Sequence, residues 1–141
     1  MRRVDRLFER YAQFHRDPVN KAMHWVCVPL IVWSVLGMLW AASPIAACAA
    51  IAAATWFYLR LSVPLAFGML AILATMVWTV TLLGDRVLLV SLITFAVAWI
   101  GQFIGHGIEG KKPAFVDDLR SFLVAPAWLL GDLYRRLGLR Y

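Results

Sequence analysis

Histidine occurs three times in this chain, as His15, His24 and His106, and each lies beside other polar residues at the edge of a long apolar run. Imidazole is the commonest metal ligand and titrates near neutrality, so three of them brought to one place would bind a transition metal or move protons. Their companions recur at helical spacing. Asn20 and His24 stand at i and i+4, while Gln102, His106 and Glu109 stand at i, i+4 and i+7, so each segment carries a polar stripe where apolar residues are the rule. The bland reading of these stripes is helix–helix hydrogen bonding, worth roughly 1 kcal/mol per contact in a membrane. The metal reading makes His15, His24 and His106 ligands, with Glu109 either a further ligand or a partner that orients an imidazole. Iron(II) and zinc(II) both suit such donors. An oxygen-activating iron needs open positions for substrate and O2, whereas a hydrolytic zinc needs one for water.

Nine residues separate His15 from His24. In an unbroken helix they would lie roughly 13 Å apart along the axis and half a turn around it, on opposite faces. The dipeptide Asp17-Pro18 removes that obstacle, because Asp is a good N-cap and Pro a good first helical residue, so a new helix starts there and the preceding segment is able to fold back. That segment, residues 2–14, reads as an amphipathic helix with Val4, Leu7, Phe8, Tyr11 and Phe14 on its apolar face. At the other end, Gly101 and Gly105 have the GxxxG spacing that lets a neighbouring helix approach closely beside His106.

The elements that must position these residues belong to a bilayer. Of the 141 residues, 62% are hydrophobic and 16% charged, against about 25% charged in a soluble domain. The expected fold is all-α, an integral membrane bundle of about four transmembrane helices with amphipathic interfacial helices at both ends. The spans run from Met23 to Ala42, Pro44 to Leu59, Ser62 to Leu83 and Val87 to Gly105, with Ser43-Pro44 breaking the first apolar run in two. The second span is short and rich in alanine, so a hairpin that only partly crosses is the alternative. Gly110 and Pro113 end the last span, and residues around Phe115, Val116, Leu119, Phe122 and Leu123 form a second amphipathic stretch. After it, the apolar segment broken by Pro126 is too short to span and reads as interfacial or re-entrant. One membrane-embedded catalytic domain thus covers 1–141, with an interfacial helix at 1–16, the bundle at 18–108 and the C-terminal segment at 114–141. Cys27 and Cys48 lie inside apolar spans without CxxC spacing and read as small core residues.

Twelve of the fourteen Lys and Arg residues flank the bundle, which by the positive-inside rule places both termini in the cytoplasm. The membrane is the inner membrane of a bacterium or the endoplasmic reticulum of a eukaryote. The basic flanks suit anionic lipid, and no nucleic-acid motif accompanies them, so the lipid bilayer is the expected partner and nucleic acid is not. Oligomeric state leaves no mark in the sequence.

Two motifs bracket the apolar region. Tyr11, His15, Asn20 and His24 form Tyr-x3-His-x4-Asn-x3-His with Pro29 following, and Gln102, Gly105, His106 and Glu109 form Gln-x2-Gly-His-x2-Glu with Pro113 and Ala114 beyond. Together they resemble the Fe(II)-dependent 2-hydroxy fatty acid dioxygenases of fatty acid alpha-oxidation, a family of small membrane proteins. The resemblance covers both ends of the chain. It implies an Fe(II) cofactor, cleavage of a 2-hydroxy fatty acid by O2 to a product one carbon shorter, and His15, His24 and His106 as ligands. A 2-hydroxy carboxylate chelates iron through its two oxygen functions while its tail stays in the bilayer. Tyr11, Asn20, Lys21 and Gln102 would support the ligands or the substrate, and Lys21, Lys111 or Lys112 would steer its carboxylate. No fourth histidine is present, which leaves Glu109, Asn20, Gln102 or water to complete the shell. The competing readings are a zinc-dependent membrane lipid hydrolase, which would work without oxygen, and a non-enzymatic four-span protein.

Overall fold

The structure is a computed structural model that describes residues 2–114 and 120–141. Its described elements are helices: α1 (Arg3–Ala12), α2 (Pro18–Ala42), α3 (Pro44–Leu59), α4 (Val63–Thr81), α5 (Val87–Glu109) and α6 (Ser121–Arg136), with a single 3-10 turn at Gly84–Arg86. Three stretches, Pro18–Ala42, Val63–Thr81 and Gly84–Glu109, are long and apolar enough to cross a membrane. The fourth apolar helix, α3, has 16 residues, about 24 Å of helix against a hydrocarbon core of about 30 Å.

Local chemistry sets the breaks. The Asp17 carboxylate accepts from the backbone N–H groups of Val19 at 2.8 Å and Asn20 at 3.4 Å, with Pro18 at the first helical position. Ser43, extended at φ −167°, ends α2, and Pro44 opens α3. Ser62 accepts from Leu65 N–H to start α4, and Gly110 caps α5 at φ +73°, a conformation that suits glycine. Four successive antiparallel helices bring the chain termini, the α3–α4 turn and the last turn of α5 to one end. The Arg2 guanidinium donates to the Tyr141 carbonyl and lies over its ring.

The most extensive packing is between α2 and α5, and glycine makes it close. A Cβ added to Gly37 would lie 1.9 Å from Ser91 Oγ, to Gly101 2.6 Å from Cys27 Sγ, and to Gly105 2.6 Å from Asn20 Oδ1. The GxxxG pair is therefore part of a seam that runs the length of both helices. The outward faces stay apolar: Ile45, Trp56, Phe67, Trp78 and Leu89 are all more than half exposed, as lipid-facing residues are. Cys27 is buried in the seam, but Cys48, expected in the core, lies on the exposed face of α3. Within α3 only Ala47 and Tyr58 are buried, with Ala50, Ile51 and Ala54 half-buried between them, so one side of the helix is covered and Cys48 lies off it.

The C-terminal segment departs from expectation at Pro126. The helix does not break there; α6 continues through it to Arg136. Proline forfeits one intrahelical bond and crowds the preceding turn, and in that turn the Leu123 carbonyl accepts from the Tyr58 hydroxyl at 2.7 Å. Packing on two sides holds the helix together: Gly131 lets Phe8 of α1 approach, and Gly68 of α4 accommodates Leu130 and Tyr134. The apolar face of α1, formed by Val4, Phe8 and Tyr11, is buried, with α6 against it. Of the second amphipathic stretch, Phe115, Val116 and Leu119 lie outside the described residues, and Phe122 and Leu123 belong to the first turn of α6.

The seam is testable. Asn20 is buried and its amide is bonded to Phe14, so it cannot yield to a new methyl group. Gly105→Ala is expected to cost about 1–3 kcal/mol, read as a lowered thermal midpoint in detergent. Gly107→Ala, two residues along the same helix with open space beside it, should leave that midpoint unchanged or slightly raised.

Candidate metal centre

His15 follows the end of α1, His24 sits in the second turn of α2 and His106 in the last turn of α5; all three are buried, between 1% and 4% exposed. The fold brings them together as the sequence predicts. One nitrogen from each lies within 4.8 Å of the others, and among the described residues no other three of His, Cys, Asp and Glu gather in this way. The rings of His15 and His24 are 4.2 Å apart between centroids, and those of His15 and His106 4.8 Å.

Hydrogen bonds orient the rings. His15 Nδ1 lies 3.0 Å from the Tyr11 carbonyl. A carbonyl only accepts, so Nδ1 carries the proton and Nε2 keeps its lone pair, which is buried without a partner. His106 Nδ1 is likewise buried and unpartnered. In His24, Nδ1 lies 3.2 Å from Gln102 Oε1 and Nε2 lies 2.5 Å from the Tyr11 hydroxyl. Gln102 Nε2 lies 3.0 Å from the same Nδ1, so the amide holds that nitrogen whichever of the two carries the proton, and His24 Nε2 is engaged by the phenol, which a metal bond to it would displace. Tyr11 also stacks on His15 at 4.4 Å.

These observations decide whether a metal fits. An orphaned buried acceptor costs about 1–3 kcal/mol, and His15 and His106 each have one directed into the same small space. An ion with bonds of about 2 Å reaches all three nitrogens after a small closure of the rings, and neutral imidazoles suit both iron and zinc. Burial holds His15 neutral: desolvation pushes its pKa down to about 4, with the bond to the Tyr11 carbonyl opposing it.

The remaining predicted site residues divide by position. Gln102 joins the cluster through His24. Asn20, fully buried, donates to the Phe14 carbonyl at 3.1 Å and so steadies the chain between α1 and α2. Glu109, read from the sequence as a ligand or an imidazole partner, has its two carboxylate oxygens engaged elsewhere: Oε1 accepts from Arg16 N–H at 3.0 Å and Oε2 from Asp17 N–H. Its carboxylate holds the turn that presents His15 and touches no ring. Lys111 adds a second tie, from Nζ to the Gln13 carbonyl at 2.9 Å. Lys21, Lys111 and Lys112 are exposed at this end of the bundle.

Sequence reasoning missed Trp128, which it assigned with the other tryptophans to lipid-facing or packing roles. Its ring lies 5.2 Å from Tyr11, 5.4 Å from His15 and 5.8 Å from His24, forming a buried aromatic wall to the cluster. No polar neighbour marks it, since it sits in an apolar run of α6.

The family described as "2-hydroxy-palmitic acid dioxygenase Mpo1-like" matches residues 1–137. The 2-hydroxy-palmitic acid dioxygenase MPO1 of Saccharomyces cerevisiae is 31% identical over 137 residues, an alignment covering 91% of this chain and 78% of the yeast protein. No solved structure matches the chain.

Two outcomes follow from the geometry. Glu109→Ala removes the acceptor for two N–H groups at a partly exposed turn, and is expected to cost about 1–2 kcal/mol of stability and to weaken metal retention measured after dialysis. For pH, the unfolded His15 imidazole takes a proton near 6.5, whereas the folded one resists until about 4. Its contribution to stability is therefore present above pH 6.5 and lost as pH falls to about 4. The loss from His15 alone is on the order of 3 kcal/mol, visible as a falling melting temperature of the metal-free protein across that window and reduced in His15→Phe.

Proposed function

The chain belongs to the Mpo1-like family, and from that premise we propose that it is an iron(II)-dependent dioxygenase that cleaves 2-hydroxy fatty acids with O2, giving a product one carbon shorter. The observation that carries the reading is the meeting of His15, His24 and His106, with two buried imidazole nitrogens lacking any partner. It acts as one membrane-embedded catalytic domain. Both termini face the cytoplasm, in the inner membrane of a bacterium or the endoplasmic reticulum of a eukaryote.

Iron held by the three imidazoles supplies the one-electron chemistry that lets O2 react with a closed-shell acid. The chain's own residues do the rest. The Tyr11 carbonyl fixes the His15 tautomer and leaves its Nε2 lone pair for a ligand bond, and the Gln102 amide holds the His24 ring through Nδ1. Lys21, Lys111 and Lys112 draw the substrate carboxylate toward this end of the bundle. The Tyr11 hydroxyl supplies a buried hydrogen-bond donor at the ligand face, and Trp128 excludes water beside His15 and His24. Glu109 acts at one remove, by holding the His15 turn.

Zinc would accept the same donors, so the test must separate the metals. Elemental analysis of the detergent-purified protein is expected to give iron near one atom per chain, with O2 uptake on addition of 2-hydroxypalmitate. His106→Ala should lower that uptake by roughly a hundredfold or more. Zinc in place of iron, or turnover that persists under strict anaerobiosis, would refute the proposal and favour a hydrolase.

A further inference from the structure

Two cavities meet inside the bundle and lead from the histidines toward its middle. The first, about 50 Å³, has His106, Gln102 and Tyr11 at its head and Val28 below them. The second, about 250 Å³, shares Ile31, Val32 and Phe122 with the first and continues past Val35 and Leu36 to Leu39. On α2 the wall residues fall at positions 28, 31, 32, 35, 36 and 39, one face of a single helix, with His24 one turn above Val28. From His24 to Leu39 that face descends about 22 Å, comparable with an extended palmitoyl chain.

The space exists because α3, opposite, is built from small residues: seven of its sixteen are alanine. Ala54 and, one turn farther from the histidine end, Ala50 line the cavity. The wall's one polar side chain, Tyr58, spends its hydroxyl on the Leu123 carbonyl, so the interior offers nothing to a polar ligand.

We propose that this face of α2 and the alanines of α3 form the acyl slot, and that Ala54 and Ala50 set where the substrate's methyl end stops. The proposal rests on the dioxygenase reading for what occupies the head. Continuity decides the occupant: His106 and Gln102 line the head of the slot, and a 2-hydroxy acid has a chelating head followed directly by an apolar tail. A tail leaving the bilayer is already among hydrocarbon and gains little from burial as such. Selectivity comes from shape, with close-packed side chains stopping the chain at a fixed depth.

The full chain is assayed in detergent with 2-hydroxyoctanoate, 2-hydroxylaurate and 2-hydroxypalmitate. Ala54→Phe is expected to lower kcat/KM for the palmitate by roughly tenfold or more while sparing the octanoate. Ala50→Phe, deeper in the slot, should penalise the palmitate and spare the laurate. Ala53→Phe, the same change on the exposed face of α3, should leave the profile as it was. Equal losses at every length, or an unchanged profile in both lining variants, overturns the slot; a wild-type chain that turns over none of the three acids overturns the dioxygenase reading instead. A measurement without variants covers the case of misfolding: 2-hydroxypalmitate carrying a diazirine at its tail is photolysed on the metal-loaded wild type and the adducts mapped by mass spectrometry. Labelling of Leu36, Leu39 or Ala50 supports the slot, and labelling confined to outward-facing residues overturns it.

Discussion

A single carboxylate fixes the reversal on which the site depends. Glu109 accepts the backbone N–H groups of Arg16 and Asp17, which lie between two helices and have no helical partner of their own. The Asp17 side chain is already committed to capping α2. Asn20 and Lys111 tie the carbonyls of Phe14 and Gln13 just before the turn, but the Arg16 and Asp17 N–H groups would lack a partner without Glu109, and the relation of His15 to His24 would loosen. Glu109 stands three residues beyond His106, so the helix that presents the third imidazole also holds the first in place. The spacing of all three rings then depends on the separation of α2 and α5, which Gly101 and Gly105 fix at close contact.

Placing polar groups in an apolar bundle is costly unless each finds a partner. Ser34 and Ser91 apart, the buried polar side chains gather at the end that holds the histidines. The Tyr11 carbonyl, in the last turn of α1, accepts from the Phe14 N–H and also from His15 Nδ1, and the Phe14 carbonyl beyond it accepts from the Asn20 amide. The polar stripes of α2 and α5 satisfy each other through His24 and Gln102. His15 Nε2 and His106 Nδ1 are buried without a partner, and that is where a metal has a use.

The parts legible in the sequence were those where local chemistry leaves a mark. Asp17-Pro18 and Ser43-Pro44 announce helix starts by capping and by fixed φ, and α3 occupies the residues its flanking signals predict. Polar residues at i and i+4 in an apolar run announce a buried site. The parts that were not legible depend on contacts made across the fold. Trp128 sits in an apolar run with no companion to distinguish it from a lipid-facing residue. Pro126 argues locally for a break, and only the flanking α1 and α4 together with the Tyr58 hydroxyl explain why the helix persists. Glu109 is recognisable as a site residue, but its partners are backbone amides, which have no identity in a sequence.

The two sides of α2 are packed differently, and the difference follows from glycine on one neighbour and alanine on the other. Toward α5, each seam glycine leaves room for one small or polar side chain of the facing helix, Ser91, Cys27 or Asn20, so the helices pack closely and the ligand geometry is held. Toward α3, alanines face the larger Val35, Leu36 and Leu39 without filling the gap, and a cavity of about 250 Å³ remains. Rotating α2 to close that cavity would swing His24 away from Gln102 and His106, while loosening it from α5 would break the close contacts at Gly101 and Gly105. The rigid seam is thus what allows the open one: with α2 held firmly on one side, the other need not be packed, and a single helix can carry a fixed ligand at its head and unfilled space along the face below.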